Sequence, residues 1–180
     1  MLCATLGTVV VAACDDDADA EGEVVHTEVA ASTSATPDGT LKTHEIVPST
    51  PSAEGLAYLR AVAAIQREAD DQRGAAAVAT LQRGLDLEVP AGLPEAEIVQ
   101  LELASRIAGL LIESDAAAEA KELLVPMLEP SRSVPLDRAS AEALIMLGDA
   151  ATRTGDDALA AGTYARSIRM MSILRQELER

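Results

Sequence analysis

A chain of 180 residues with a formal net charge of −16, no Phe, no Trp and only two Tyr builds its core from aliphatic side chains and alanines, small enough for helices to approach closely. The acidic excess excludes nucleic acid as a partner, because a polyanion is repelled by a surface of this balance. Length allows one modest domain with a tail, and large apolar side chains concentrate beyond residue 54, leaving residues 15–53 rich in Asp, Glu, Ser, Thr and Pro.

Residues 2–13 form an uncharged apolar run that ends in small residues, and three aspartates follow Cys14. At about a dozen residues the run is too short to span a bilayer, which takes about 20. It reads as the core of a signal peptide, residues 1–13, that is removed. The stretch Val11-Ala12-Ala13-Cys14 resembles the lipobox of bacterial lipoproteins, in which two small residues precede a cysteine that is diacylated and becomes the new N-terminus. The resemblance implies a lipid anchor on Cys14 and a place in the cell envelope, on the periplasmic face of the inner or the outer membrane. Asp15 is similar to the residue that retains enterobacterial lipoproteins in the inner membrane. Once Cys3 is gone, Cys14 has no intrachain disulfide partner.

Residues 14–53 carry short β-prone pieces such as Glu23-Val24-Val25-His26, with no sustained period of 2 or 3.6. A disordered acidic tether is expected. Pro37-Asp38-Gly39 and Pro48-Ser49-Thr50-Pro51 break the chain, and a coil of this length reaches about 35 Å. Its acids and both histidines, His26 and His44, read as solvated spacer residues.

Residues 54–180 read as three helical hairpins. The first helix runs from Ser52 or Ala53 to about Ala69, turns at Asp70-Asp71 and Gly74, and returns from about Gln72 to Leu87. The second hairpin starts at Leu93-Pro94-Glu95 and runs to about Glu113, with Ser114-Asp115 capping its return helix. Pro126 ends or kinks that helix. The third starts near Val134-Pro135-Leu136-Asp137, again led by proline, reaches Arg153, and turns at Thr154-Gly155-Asp156. Beyond Tyr164, Ile168, Met171, Leu174 and Leu178 continue one face of a long final helix, with Arg166, Arg169 and Arg175 on its wet side.

In the last hairpin Leu144, Leu147, Gly148 and Ala151, then Ala160 and Tyr164, resemble the tetratricopeptide repeat, whose pattern is W-x2-L-G-x2-Y followed by A-x3-F. Ala104, Ile107, Ala108 and Leu111, then Ala120 and Leu124, repeat the offsets forty residues upstream. The family period is about 34 residues, and the loop Glu129-Pro130-Ser131-Arg132-Ser133 holds the excess. The first hairpin matches only through small residues from Ala75 to Ala79 and Leu81. The expected fold is therefore all-α: antiparallel hairpins stacked as a short solenoid, with the long last helix as a cap or, as an alternative, as the contact of a homodimer.

Residues 54–180 contain neither His nor Cys, so the usual nucleophile–base pair and zinc sites with nitrogen or sulfur ligands are excluded there. There is no phosphate-cradling glycine loop and no G-x-S-x-G elbow; the acidic pairs Asp70-Asp71 and Asp156-Asp157 precede helices, where acids cap amides. No enzyme, metal or cofactor is expected. The resemblance implies a groove lined by the first helix of each hairpin: Glu102, Ser105, Ile112 and Glu113 from the second, and Glu142, Ile145, Asp149, Thr152 and Arg153 from the third. An acidic groove of this kind favours a basic peptide or helix of a protein partner.

Overall fold

In the computed structural model, which describes residues 41–179, Ser52 begins the first helix by accepting the Gly55 amide on its hydroxyl at 3.0 Å, satisfying one of the donors a helix start leaves unpaired. That helix, α1, spans Ala53–Asp70, and α2 follows over Gly74–Leu85. Gly74 has φ +53, a backbone angle that glycine adopts without strain. The second pair is α3, Ala96–Glu113, and α4, Ala117–Leu124. The third is α5, Arg138–Arg153, and α6, Asp157–Leu178. Helix accounts for 68% of the described residues, in six helices. None of these is long and apolar enough to cross a membrane.

Consecutive helices pack on one another, and α3 also packs against α5. Leu101, Ala104, Ala108, Ala120, Leu124, Ala143, Leu144 and Leu147 belong to one buried cluster; Tyr58, Val62, Leu81, Leu103 and Ile107 belong to a second. Positions forty residues apart are buried alike: Ala104 with Leu144, Ile107 with Leu147, Ala108 with Gly148, and Ala120 with Ala160.

Several local expectations are corrected. Ser114 closes α3 instead of capping α4: its hydroxyl donates to the carbonyls of Leu110 and Leu111 at 2.9 and 3.1 Å. Asp115 then turns the chain with φ +62, and α4 starts without a side-chain cap. The third hairpin is not led by its proline. Pro135 sits in a two-residue strand, and Asp137 caps α5 by accepting the Ala139 amide at 2.7 Å. The α4 helix stops at Leu124, two residues before Pro126, as the missing amide of proline requires.

The end of the expected tether is also ordered against the helices. Strand β1, Thr43–His44, pairs in parallel with β2, Val134–Pro135. The carbonyls of Lys42 and His44 accept the amides of Val134 and Leu136 at 3.1 and 2.8 Å, and Leu41 packs on the larger cluster. His44 is therefore not a solvated spacer residue: its Nδ1 lies 3.1 Å from the Ser133 hydroxyl and its Nε2 lies 3.3 Å from Glu97. Residues 14–40 of the expected tether, with Cys14 and His26, and residues 1–13, expected as a signal peptide, lie outside the described residues.

Arg166 is not on the wet side of α6. Only 2% exposed, it donates from Nη1 to the Leu128 carbonyl at 2.6 Å. Its position falls between the buried Thr163 and Met170, so the helix carries it into the junction with the loop that follows α4.

Candidate functional site

The solvent side of α3 runs through the exposed Glu102 and Glu113 and the half-buried Ile98, Ser105 and Gly109, which recur at steps of three and four residues. Two open clefts flank this face. One, of about 340 Å³, lies towards the start of α5 and is lined by Ile98, Glu102, Asp137, Arg138, Ala139 and Glu142. The other, of about 300 Å³, lies towards the α1–α2 turn, where Asp70, Gln72, Arg106, Gly109 and Glu113 contribute.

The structure thus brings Glu102 and Glu142 into one cleft, and puts Glu113 in its neighbour. Glu102 accepts from the Gln66 amide nitrogen at 3.2 Å, and Glu142 accepts from Arg138 Nε at 2.6 Å. Arg106 donates to Asp70 at 2.6 Å. Ser105 stands between the clefts, partly exposed. With Glu102, Asp137 and Glu142 facing one arginine, the first cleft is acidic.

Ile112 does not line this face. It is 7% exposed and belongs to the buried cluster with Ala108 and Ala117. Four residues past Ala108, it continues the stripe that faces the interior. Ile145 lies instead in a third cleft, beside the C-terminal half of α6. Asp149 and Thr152 both meet Tyr164, whose hydroxyl donates to Asp149 at 2.6 Å and stands 3.5 Å from the Thr152 hydroxyl. Arg153 reaches back to Asp115 in the α3–α4 turn, at 3.8 Å. Sequence reading missed Asp70, Arg106, Arg138 and Asp137 as lining residues; Asp70, expected as a helix cap, ends α1 and pairs with Arg106, and α2 starts without a side-chain cap.

Both tyrosines hold their protons more tightly than a free phenol. The hydrogen bond to Asp149 raises Tyr164 and burial raises Tyr58, since each disfavours the phenolate. A folded-state value above the unfolded one contributes stability below about pH 10, lost as pH rises through the folded-state values. With no Trp in the chain, phenolate absorbance reports these two groups alone. We expect both to titrate above the ordinary range, and Asp149→Asn to bring only Tyr164 down; a Tyr164 titration unmoved by that change would show that the hydrogen bond does not hold the proton.

Among the described residues no group of three or more His, Cys, Asp or Glu is placed to hold a metal ion. No protein-family model, curated protein or solved structure matches the chain.

Proposed function

We propose that this chain is a lipid-anchored protein of the cell envelope whose helical hairpins, stacked like tetratricopeptide repeats, hold a basic segment of another protein along the α3–α5 face. The observation that carries this reading is the meeting of Glu102 and Glu142 in one acidic cleft: they occupy equivalent positions forty residues apart, as side chains of successive repeats do in a shared groove. The forty-residue agreement of buried positions supports the stacking, as does the contact between α3 and α5. An open, acidic cleft on regular helices suits an extended peptide or a helix carrying Arg or Lys, and its charge sets orientation and encounter rate more than affinity. With neither His nor Cys in residues 54–180, the domain is read as a binding module and not as an enzyme.

The anchor is tested by the intact mass of the protein extracted from its own membranes, beside a Cys14→Ala variant. The expected native species begins at Cys14 and carries the mass of its acyl chains, which the variant lacks. A species that keeps residues 1–13 without modification in the soluble fraction would remove the anchor and the envelope location, leaving the groove to be judged by itself.

A further inference from the structure

The last hairpin leaves a face that the hairpin before it has covered. Ile98, Leu101 and Glu102 of α3 lie towards α5, and Ser105 follows three residues on: Ile98 and Glu102 line the shared cleft, and Leu101 is buried in the cluster that includes Ala139 and Ala143. Forty residues on, the equivalent positions are Arg138, Ala141, Glu142 and Ile145. Those four, with Met171, Leu174, Arg175 and Leu178 of α6, line an open cleft of about 450 Å³ that no described helix fills. Met171 is 44% exposed and Leu178 is 88% exposed, and Ile168, one turn before Met171, is 60% exposed. A continuous apolar patch of this kind marks a contact surface.

Charge narrows what covers it. Each cation of the rim is matched four residues along the chain, Arg138 by Glu142 at 2.6 Å and Arg175 by Glu179 at 3.9 Å. The patch is thus neutral in a chain of net charge −16. A basic partner finds no uncompensated acid in these rim pairs to favour it, and two acidic copies repel one another least where both are neutral. A two-fold contact also sets the same patch against itself, so both apolar faces close in one step. We propose that this end face, centred on Ile145, Met171 and Leu178, joins two copies of the chain about a two-fold axis. The proposal goes beyond the acidic cleft and does not depend on it.

Sedimentation equilibrium of the full chain carrying Cys14→Ser, in reducing buffer, tests it beside the same chain with Met171→Glu and Leu178→Glu. Both side chains are well exposed, so far-UV circular dichroism and a cooperative melt are expected to persist and show that the variant folds, its melting temperature lower only by the stabilisation that the dimer adds. The parent is expected at the mass of two chains at about 10–100 µM, and the variant at the mass of one, with dimer dissociation raised roughly 100-fold or more. Glu102→Lys reverses a charge that lines the acidic cleft and not the end face, and weakens any partner binding there while leaving a dimer. A parent that stays monomeric, or a dimer unmoved by the two glutamates, overturns the proposal. So does a monomeric parent that floats with phosphatidylglycerol vesicles while the variant does not, which assigns the patch to lipid.

Discussion

Gly148→Val is expected to lower the free energy of unfolding by about 3 kcal/mol, at the upper end of what overfilling a packed interior costs. A Cβ at this position would stand 2.5 Å from Cε1 of Tyr164 and 2.8 Å from Cδ1 and Cζ. The ring has little room to yield, since its hydroxyl is held by Asp149 at 2.6 Å. The two helices of the last hairpin therefore cross where one has no side chain and the other has a ring. The cause is separable from helix propensity. Alanine is the better helix former by about 1 kcal/mol, so Gly148→Ala should destabilise the native chain yet stabilise a Tyr164→Ala background by about that amount. Urea unfolding of the four proteins measures both signs; a loss of the same size in both backgrounds would mean that the glycine serves the backbone and not the ring.

Arg166 carries the second large effect. The residue is 2% exposed, one guanidinium nitrogen donates to the Leu128 carbonyl, and Nε and Nη2 are buried without a hydrogen-bond partner. Burial, with a smaller contribution from Arg169, pulls its pKa below the ordinary arginine value, because a charge removed from water resists ionisation. Arg166→Ala should cost about 3 kcal/mol, by leaving a void beneath α6 and a carbonyl without its donor. Arg166→Met keeps most of the stem and removes the desolvated charge, and should be at least as stable as the native chain. Equal losses in the two variants would show that the bond to Leu128, and not the packing of the stem, is what the position supplies.

The helices were legible in the sequence because their ends carry local chemistry. Ser52, Gly74, Gly155 and Asp156 act within a few residues of where they stand, and the small–large alternation at Gly148 and Tyr164 has a meaning inside one hairpin. What escaped depends on residues far away. The strand at Thr43–His44 is two residues long and finds its partner 91 residues later, so no periodicity announces it. Arg166 has the composition of a solvent residue, and only the position of the loop after α4 makes it an interior one. The repeat resemblance implies a place on the groove for Ile112, forty residues before Thr152, but Ile112 stands four residues after the buried Ala108 and shares its side. Of the acidic face, Glu102, Ser105 and Glu142 were legible from their offsets. The pairing of Arg106 with Asp70 was not, because a repeat pattern carries no information about contacts between a helix end and the next hairpin.

Photocrosslinking from Ser105 in the protein's own cells tests the central claim most directly. A photoreactive residue there, between the two clefts, is compared with the same residue at Ala79, exposed on α2. The account predicts one predominant adduct from Ser105, absent from Ala79 and diminished about tenfold by Glu102→Lys with Glu142→Lys, as loss of charge complementarity requires. No adduct, or the same adduct from both positions and unchanged by the charge reversal, would contradict a protein-binding groove on this face.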